Sequence, residues 1–286
     1  MKLLRVGPAG SERPAVLTDE GDVFDASAVA TDDFGPLFLA AGGIDRLGGA
    51  LAAGELPAMD AADQRIGAPI RRPGKVICIG LNYADHAAES KMTLPEEPVV
   101  FFKAANTVVG PNDDVLLPIG GDKTDWEVEL GVVIGSQARY LENEDAAIAA
   151  IAGYCVSNDV SERAFQLERG GQWVKGKSCE TFNPLGPWLV TPDELGEIDA
   201  LGMWLDVNGE RVQDGTTANM VFDVAHIVWY LSQFMVLEPG DLINTGTPAG
   251  VGLGFDPPRY LQDGDVMDVA IEGLGLQRQT CRRATR

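Results

Sequence analysis

The sequence predicts an α+β fold in which β-strands dominate, and three observations support that prediction. Short runs rich in β-branched and other apolar residues recur along most of the chain, whereas segments with helical periodicity are few. The Asn208-Gly209 pair lies between two such runs, which is typical of a type I′ hairpin turn. Strands and helices do not alternate in the regular order of a parallel βαβ sheet. The pattern therefore favours an antiparallel or mixed β architecture.

The local sequence pattern changes near residue 70. Residues 1–70 are predicted to form a small N-terminal α/β domain, with short strands at Leu3–Val6 and Ala15–Leu17. Residues 71–74 (RRPG) mark the boundary, because proline and glycine interrupt regular structure. Residues 71–286 are predicted to form one larger domain.

The larger domain is predicted to contain many short strands and few helices. The strands are expected at Lys75–Ile79, Val99–Lys103, Val115–Leu117, Trp126–Ile134, Tyr154–Asn158, Met203–Val207, Leu242–Thr245 and Val266–Ile271. The helices are expected at Tyr83–Ser90, Asn143–Ile151, Ser161–Glu168 and Val221–Val236. The arginine-rich tail, Arg278–Arg286, is expected to be a frayed end.

The composition excludes several classes of partner. The 286 residues include 22 Lys and Arg against 43 Asp and Glu, a formal net charge of −21. Such a chain lacks the basic face that nucleic acids or anionic lipids require. No apolar run reaches the roughly 18–20 residues of a membrane helix, and the N-terminal apolar stretch is too short for a signal peptide. The four cysteines are widely spaced without a C-x-x-C pair, so we expect reduced thiols in a cytoplasmic protein.

The run from Asp125 to Val133 (DWEVELGVV) contains two acidic residues on an otherwise apolar strand. Strand alternation places Glu127 and Glu129 on the same face, about 6.5–7 Å apart along the strand. If they point inward, they repel each other unless a cation lies between them. Hard oxygen ligands without nearby Cys or His favour Mg²⁺, Mn²⁺ or Ca²⁺. A solvent-exposed polar strand face is the alternative.

A third acidic residue, Asp159, ends the apolar strand that follows. It is a candidate third ligand, although taken alone its position favours the N-cap of the next helix. Arg163 and Gln166 lie at i and i+3 on one face of that helix. They are candidates to bind a carboxylate, and the alternative is that they face water.

His86 and Glu89 lie at i and i+3 on a predicted short helix and are within hydrogen-bonding reach of each other. A carboxylate that orients a histidine and raises its basicity makes a plausible general base. Such a pair is more often structural. The other histidine, His226, lies in an apolar helix and is expected to be a core residue.

Two glycine-containing segments resemble phosphate-binding loops. Residues 171–178 (GQWVKGKS) match G-x-x-x-x-G-K-[ST], but a predicted helix precedes them and Pro184 follows, so the required strand and helix are missing. Lys177 remains of interest as a cation near a site. Residues 245–254 (TGTPAGVGLG) let backbone N–H groups approach an anion, although alone they indicate a surface turn.

Taken in order, five segments resemble the fumarylacetoacetate hydrolase family, and the resemblance spans about Arg72 to Gln279. The segments are KVICIGLNYADHAAE, KTDWEVELGVVIG, GYCVSNDVSERAFQ, KGKSCETFNPLGP and GDLINTGTPAGVG. The resemblance implies a mixed β-sandwich roll preceded by a small N-terminal domain. It also implies that Glu127, Glu129 and Asp159 hold Mg²⁺ or Mn²⁺.

The resemblance assigns further roles. His86 and Glu89 match the family's catalytic dyad, on a segment that can close as a lid, and Lys177 is the third catalytic candidate. The candidate substrate contacts are Tyr83, Arg163, Gln166 and Thr247. Two positions depart from the family pattern: Lys103-Ala104 stands where Lys-Pro is common, and Asp125 where His often precedes the E-x-E pair.

Family members act mostly on 2-oxo acids that carry a second carbonyl. The segments LNYADHAAE, SNDVSERAFQLERGG and NPLGPWLVT are similar to bacterial 2,4-diketo-3-deoxy-L-rhamnonate or L-fuconate hydrolases, which release pyruvate and lactate. The resemblance therefore implies a metal-dependent C–C bond hydrolase. The alternatives are oxaloacetate decarboxylation, hydroxymuconate-type isomerisation or acylpyruvase activity on the same metal site. A homodimer or a dimer of dimers is the expected assembly.

Overall fold

Strands dominate the protein, as the short β-rich runs predict. A computed structural model describes residues 1–89 and 93–286, with 32% of the chain in strands and 20% in helices. The strands are β1 Lys2–Val6, β2 Arg13–Leu17, β3 Val23–Asp25, β4 Ile66–Gly67, β5 Val76–Gly80, β6 Val99–Lys103, β7 Val108–Val109, β8 Val115–Leu117, β9 Thr124–Asp125, β10 Val128–Ile134, β11 Ile151–Asn158, β12 Ser161–Glu162, β13 Asn183–Pro184, β14 Leu189–Val190, β15 Gly202–Val207, β16 Glu210–Thr216, β17 Leu242–Asn244, β18 Val266–Ile271 and β19 Gly275–Arg283.

The helices are short. They are α1 Pro36–Ala40, α2 Gly43–Ala52, α3 Ala84–Glu89, α4 Glu144–Ile148, α5 Arg163–Leu167, α6 Val174–Lys177, α7 Pro192–Leu195 and α8 Val224–Ser232. Single 3₁₀ turns occupy Ala105–Thr107, Thr217–Asn219 and Gly252–Gly254. The predicted helix over Tyr83–Ser90 is observed as α3, and Ser90 lies outside the described residues. In the part of the chain that the structure describes, no helix is long and apolar enough to cross a membrane.

The largest sheet has the strand order β3-β2-β1-β14-β11-β10-β17-β5-β6, with β4 paired to β1. Its centre is the antiparallel pair β10–β11, and every residue of both strands is buried. Strand β17 joins β10 antiparallel and β5 parallel. The loops that leave β5, β11 and β17 therefore start close to one another, and the predicted site segments lie on these loops.

A second sheet of order β16-β15-β18-β19-β8 packs against the central strands. One apolar cluster joins the two sheets, with Leu130 and Val156 on one side and Leu205 and Val269 on the other. The β15–β16 hairpin turns at Asn208-Gly209 with φ of 53° and 80°, which confirms the predicted type I′ turn. The sandwich-roll description stays a prediction.

The N-terminal strands are continuous with the large sheet. Strand β1 pairs with β2 and β4 of the N-terminal segment, and it also pairs with β14, where Leu3 faces Leu189. The first 25 residues thus extend the same sheet that carries β10 and β11. A domain boundary at residue 70 stays a prediction.

Two expectations for surface and core were wrong. The tail does not fray, because Gln277, Gln279 and Cys281 alternate inward and β19 pairs with both β18 and β8. His226 is not a core residue: its side chain is 32% exposed, and Nδ1 lies 3.1 Å from the Glu144 carboxylate. Its helix is apolar on average, but its buried face is formed by other positions, among them Ile227 and Leu231.

Candidate metal centre and cavity

Three carboxylates predicted from the sequence converge at the end of the β10–β11 pair. Glu127, Glu129 and Asp159 are at most 5% exposed. Each offers one oxygen, and these oxygens all lie within 4.8 Å of one another. Such a buried group of hard oxygen donors suits a divalent cation of the Mg²⁺, Mn²⁺ or Ca²⁺ kind.

The antiparallel register of β10 and β11 brings these residues together. Val128 faces Asn158, so the residues beside them, Glu127 and Asp159, leave the sheet at the same point. The Asp159 backbone N–H donates to the Glu127 carbonyl at 2.9 Å, and the Glu127 N–H donates to Asn158 Oδ1 at 3.2 Å. The N-cap interpretation of Asp159 was wrong, because Glu162 caps helix α5 by accepting from the Ala164 N–H.

Three buried cations neutralise part of this charge. Lys177 Nζ lies 2.6 Å from Glu127 Oε2 and 2.9 Å from Asp159 Oδ2. Lys103 Nζ contacts the other Asp159 oxygen and donates to the Val160 carbonyl at 3.0 Å. Arg163 pairs with both Asp125, at 2.8 Å, and Glu127, at 2.7 Å.

Among residues 1–89 and 93–286, the four carboxylates of Asp125, Glu127, Glu129 and Asp159 therefore face three cations, and one formal negative charge is left. Within the described residues no cation is in hydrogen-bond contact with Glu129, and its carboxylate accepts from the Gly246 N–H at 2.7 Å. Burial and the neighbouring charges of Asp159 and Glu127 raise the pKa of Glu129 well above its ordinary value. Burial also raises the pKa of Glu127, but Lys177 and Arg163 outweigh it and lower the pKa to about 2. A divalent cation would stabilise the ionised form of Glu129, so this set of oxygen donors fits such an ion.

The glycine-containing segment 245–254 binds anions, but these anions are side chains of the protein itself. The Gly246 N–H donates to Glu129, the Gly250 N–H to Glu89 at 2.9 Å, and the Gly252 N–H to Asp125 at 2.6 Å. Positive φ angles of about 100° at Gly246 and Gly250 aim these donors, and glycine adopts such angles without strain. The loop therefore links the metal-ligand candidate to the predicted dyad.

The two side chains of the predicted dyad, His86 and Glu89, are in hydrogen-bond contact. Helix α3 follows the loop after β5, and His86 Nδ1 lies 3.3 Å from Glu89 Oε2. The other oxygen of Glu89 accepts from Gly250, and Glu89 packs directly on Gly254, where a Cβ atom would lie 2.3 Å from its carboxyl carbon. The α3 segment is thus held against the glycine-containing loop.

A cavity of about 640 Å³ opens over these groups. Its lining includes most of the predicted site residues: His86, Glu89, Glu127, Glu129, Arg163, Gln166, Lys177 and Thr247. Arg163 Nη1 donates to Gln166 Oε1 at 3.0 Å, so these two residues act as one unit. Thr247 Oγ1 donates to the Val128 carbonyl and accepts from Gln213.

Two predicted site residues do not line the cavity. Asp159 is fully buried and contacts Lys177, which does line it. Tyr83 is also fully buried, and its hydroxyl lies 3.2 Å from Met203 Sδ. A substrate contact by Tyr83 is therefore not supported, because its aromatic ring packs into the core between the sheets.

Two site residues were not predicted. Lys103 and Asp125 stand out in the sequence only as departures from the family pattern, yet both are fully or almost fully buried in the ion-pair network. A lysine that ends the apolar run VVFFK and an aspartate before the E-x-E pair were the available signals. The P-loop-like segment is preceded by α5 rather than by a strand, and its Lys177 points at carboxylates.

This arrangement defines a buried, carboxylate-rich centre beside a histidine–carboxylate pair in one cavity. The fumarylacetoacetate (FAA) hydrolase C-terminal family profile matches residues 75–282, and the chain belongs to this family.

Relatives match along the whole chain. A Burkholderia multivorans protein, provisionally described as a hydrolase, is 53% identical over 99% of this chain and all of its own length. The fumarylacetoacetate hydrolase of Exiguobacterium antarcticum is 35% identical, with a TM-score of 0.85 over 99% of this chain and 100% of its own. The maleylpyruvate hydrolase of Sphingobium sp. SYK-6, solved with manganese(II) and pyruvate, is 27% identical, with a TM-score of 0.82 over both whole chains.

Proposed function

We propose that this protein is a metal-dependent hydrolase of acylpyruvate-type 2,4-diketo acids, cleaving the C3–C4 bond to give pyruvate and a carboxylic acid. The observation that carries the proposal is that the buried carboxylate cluster, through Glu127 and Glu129, opens onto the same cavity as the His86–Glu89 pair and the Lys177 ammonium. The Sphingobium relative, solved with manganese and pyruvate, supports it.

Glu127, Glu129 and Asp159 would hold the divalent ion, for which Mg²⁺ or Mn²⁺ is proposed. When bound, such an ion supplies positive charge that stabilises a developing enolate. With three cations already in the network, the ion would turn one net negative charge into one net positive charge. The centre would then attract the carboxylate of a 2-oxo acid, even though the whole chain carries −21.

His86 would act as the general base. Its Nδ1 faces Glu89, so Nε2 is left to take a proton from a water molecule. Glu89 is held by Gly250 and therefore fixes the orientation of the imidazole ring. The resulting hydroxide oxygen adds to the C4 carbonyl carbon of the substrate.

Lys177 would stabilise the oxyanion that forms at C4. Acidic neighbours Asp159 and Glu127 raise the pKa of Lys177 against the opposing effect of burial, so the ammonium keeps its charge. When the tetrahedral adduct collapses, the C3–C4 bond breaks and its electron pair goes to C3. The His86 imidazolium returns its proton to C3, which completes pyruvate and regenerates the base, and the other product is the carboxylic acid formed from the acyl group.

The test uses chelator-treated protein, to which Mg²⁺ or Mn²⁺ is returned, with acetylpyruvate as substrate and pyruvate release as readout. We expect turnover only with metal, and a loss of about 10²–10⁴-fold in His86→Ala, the usual contribution of a general base. His226→Ala is the matched control, since His226 lies outside the cavity. Metal-independent turnover, or equal loss in both variants, would contradict the proposal.

The same assay tests the more specific predictions about the substrate and the type of reaction. 2,4-Diketo-3-deoxy-L-rhamnonate or -fuconate is the substrate that the family resemblance suggests, and it is assayed beside acetylpyruvate. Oxaloacetate and a hydroxymuconate-type dienoate test the decarboxylase and isomerase alternatives. If Glu89→Gln abolishes hydrolysis but spares decarboxylation, the dyad serves hydrolysis. Size-exclusion chromatography with light scattering measures the molar mass and so tests the proposed homodimer or dimer of dimers.

A further inference from the structure

We infer that the substrate is a monocarboxylate whose acyl tail is uncharged and apolar and extends to the size of an aromatic ring. The inference rests on the proposed function and specifies the part of the substrate beyond C4. It depends on the outer half of the cavity, whose chemistry differs from that of the metal centre.

The cavity changes from polar to apolar between its base and its mouth. At the base, Glu127, Glu129 and Lys177 are at most 5% exposed. Towards solvent the lining includes Leu81, Phe101, Leu167, Trp173, Leu253 and Phe255. Leu167 and Leu253 are 47% and 37% exposed, although both are aliphatic. Apolar side chains left in water around a concave site indicate a ligand that covers them.

Two aromatic side chains, Phe101 and Trp173, line the cavity beside the Lys177 ammonium. Lys177 Nζ lies 5.2 Å from the Phe101 ring centroid, and Phe101 meets Trp173 edge-to-face at 5.2 Å between centroids. Gly80 makes room for Trp173, because a Cβ atom at Gly80 would lie 2.7 Å from its ring. The indole is thus held at the side of the cavity, where a flat substituent on C4 would lie.

Within the described residues, the cavity offers no unpaired cation to a second carboxylate. Among the described residues that line the cavity, the basic side chains are His86, Arg163 and Lys177. All three already contact an acidic side chain. Asp256, which is exposed, also lines the cavity and would repel an anionic tail. A hydroxyl placed against Leu167, Trp173 and Leu253 would find no polar side chain among them, at a cost of about 1–3 kcal/mol for an unsatisfied polar group.

The test compares kcat/KM for four acylpyruvates with benzoyl, acetyl, lactoyl and fumaryl tails. Hydrolysis of benzoylpyruvate adds the water oxygen to C4, breaks C3–C4 and gives benzoate and pyruvate. We expect benzoylpyruvate to exceed each of the others by at least about tenfold, the discrimination that a few apolar contacts provide. We also expect Trp173→Ala to lower the benzoyl-to-acetyl ratio at least tenfold. Trp204→Ala is the matched control, because Trp204 lies on β15, outside the cavity.

A binding experiment distinguishes failure of this inference from failure of the proposed function. Calorimetry with manganese-loaded protein compares phenylpyruvate with 2-oxoglutarate, a keto acid with an anionic tail. We expect tighter binding of phenylpyruvate and loss of that preference in Trp173→Ala. Preference for 2-oxoglutarate, or for the fumaryl or lactoyl substrate, would overturn the inference and leave the proposed function standing. Failure to cleave any acylpyruvate, with phenylpyruvate still preferred, would overturn the proposed function alone.

Discussion

The buried carboxylate of Glu129 gives the proposed metal centre a thermodynamic signature. It is 2% exposed, lies beside the charges of Asp159 and Glu127, and accepts a hydrogen bond from the Gly246 N–H. Its pKa is raised in the folded protein, so the ionised form destabilises the metal-free fold at neutral pH. Glu129→Gln removes the charge and keeps an oxygen that can accept from Gly246. We therefore expect metal-free Glu129→Gln to be at least as stable as the wild type.

The size of the metal effect follows from mass action. A free metal concentration 100 times the Kd stabilises the native state by about 2.7 kcal/mol. An unfolding entropy of about 2.1 cal/mol/K per residue gives about 0.6 kcal/mol/K for 286 residues. The wild type should therefore gain about 4–5 °C in Tm. Glu129→Gln should lose most of that gain, because an amide oxygen is a weaker ligand than a carboxylate.

Calorimetric melting of chelator-treated protein, with and without Mn²⁺, measures these shifts. Glu144→Gln is the matched control, since Glu144 is half exposed and outside the cavity. It should keep the full metal-induced gain. If Glu129→Gln keeps that gain as well, or if the metal-free variant is clearly less stable than the wild type, Glu129 is not a ligand whose buried charge the metal stabilises.

Three further predictions concern stability. The pKa of Glu127 is lowered to about 2, so between that pH and the ordinary 4.5 the unfolded chain binds a proton that the folded chain does not. This difference contributes a stability on the order of 3 kcal/mol that is present above the window and is lost as the pH falls through it. Urea titrations of metal-free protein should therefore show that the free energy of unfolding depends less steeply on pH in Glu127→Gln. Gly209→Ala places a side chain at φ 80° and should lower the Tm by about 1–2 °C, while Gly49→Ala, inside helix α2 with open space around it, should not lower it. Leu130→Ala empties a fully buried position and should cost about 2–5 kcal/mol, measured by urea unfolding; an effect under 1 kcal/mol would contradict the packing described for β10.

The parts of the site that lie on one strand or helix could be predicted from the sequence. The i, i+2 spacing brings Glu127, one residue before β10, close to Glu129 within β10, and helical spacing places His86 near Glu89. These relations span only a few residues, so local geometry determines them. The hairpin at Asn208-Gly209 was predictable for the same reason.

Relations between distant segments could not be predicted from local pattern. Lys103 and Asp159 are 56 positions apart, and three strands separate β6 from β11 in the sheet, so no local pattern in the sequence indicates their ion pair. The N-cap interpretation of Asp159 considered only the following helix, whereas two lysines from other segments bind this carboxylate. Tyr83 lies one residue before helix α3. The local sequence does not show whether its ring packs into the core or lines the cavity, and the structure places it in the core.

We expect Glu127, Glu129 and Asp159 to bind one divalent ion together. Anomalous diffraction from crystals grown with Mn²⁺ and pyruvate would locate that ion. We expect one manganese peak bonded to an oxygen of each of these three residues, with pyruvate beside it in the cavity. Manganese bound elsewhere, or density that contacts fewer than two of these carboxylates, would contradict it.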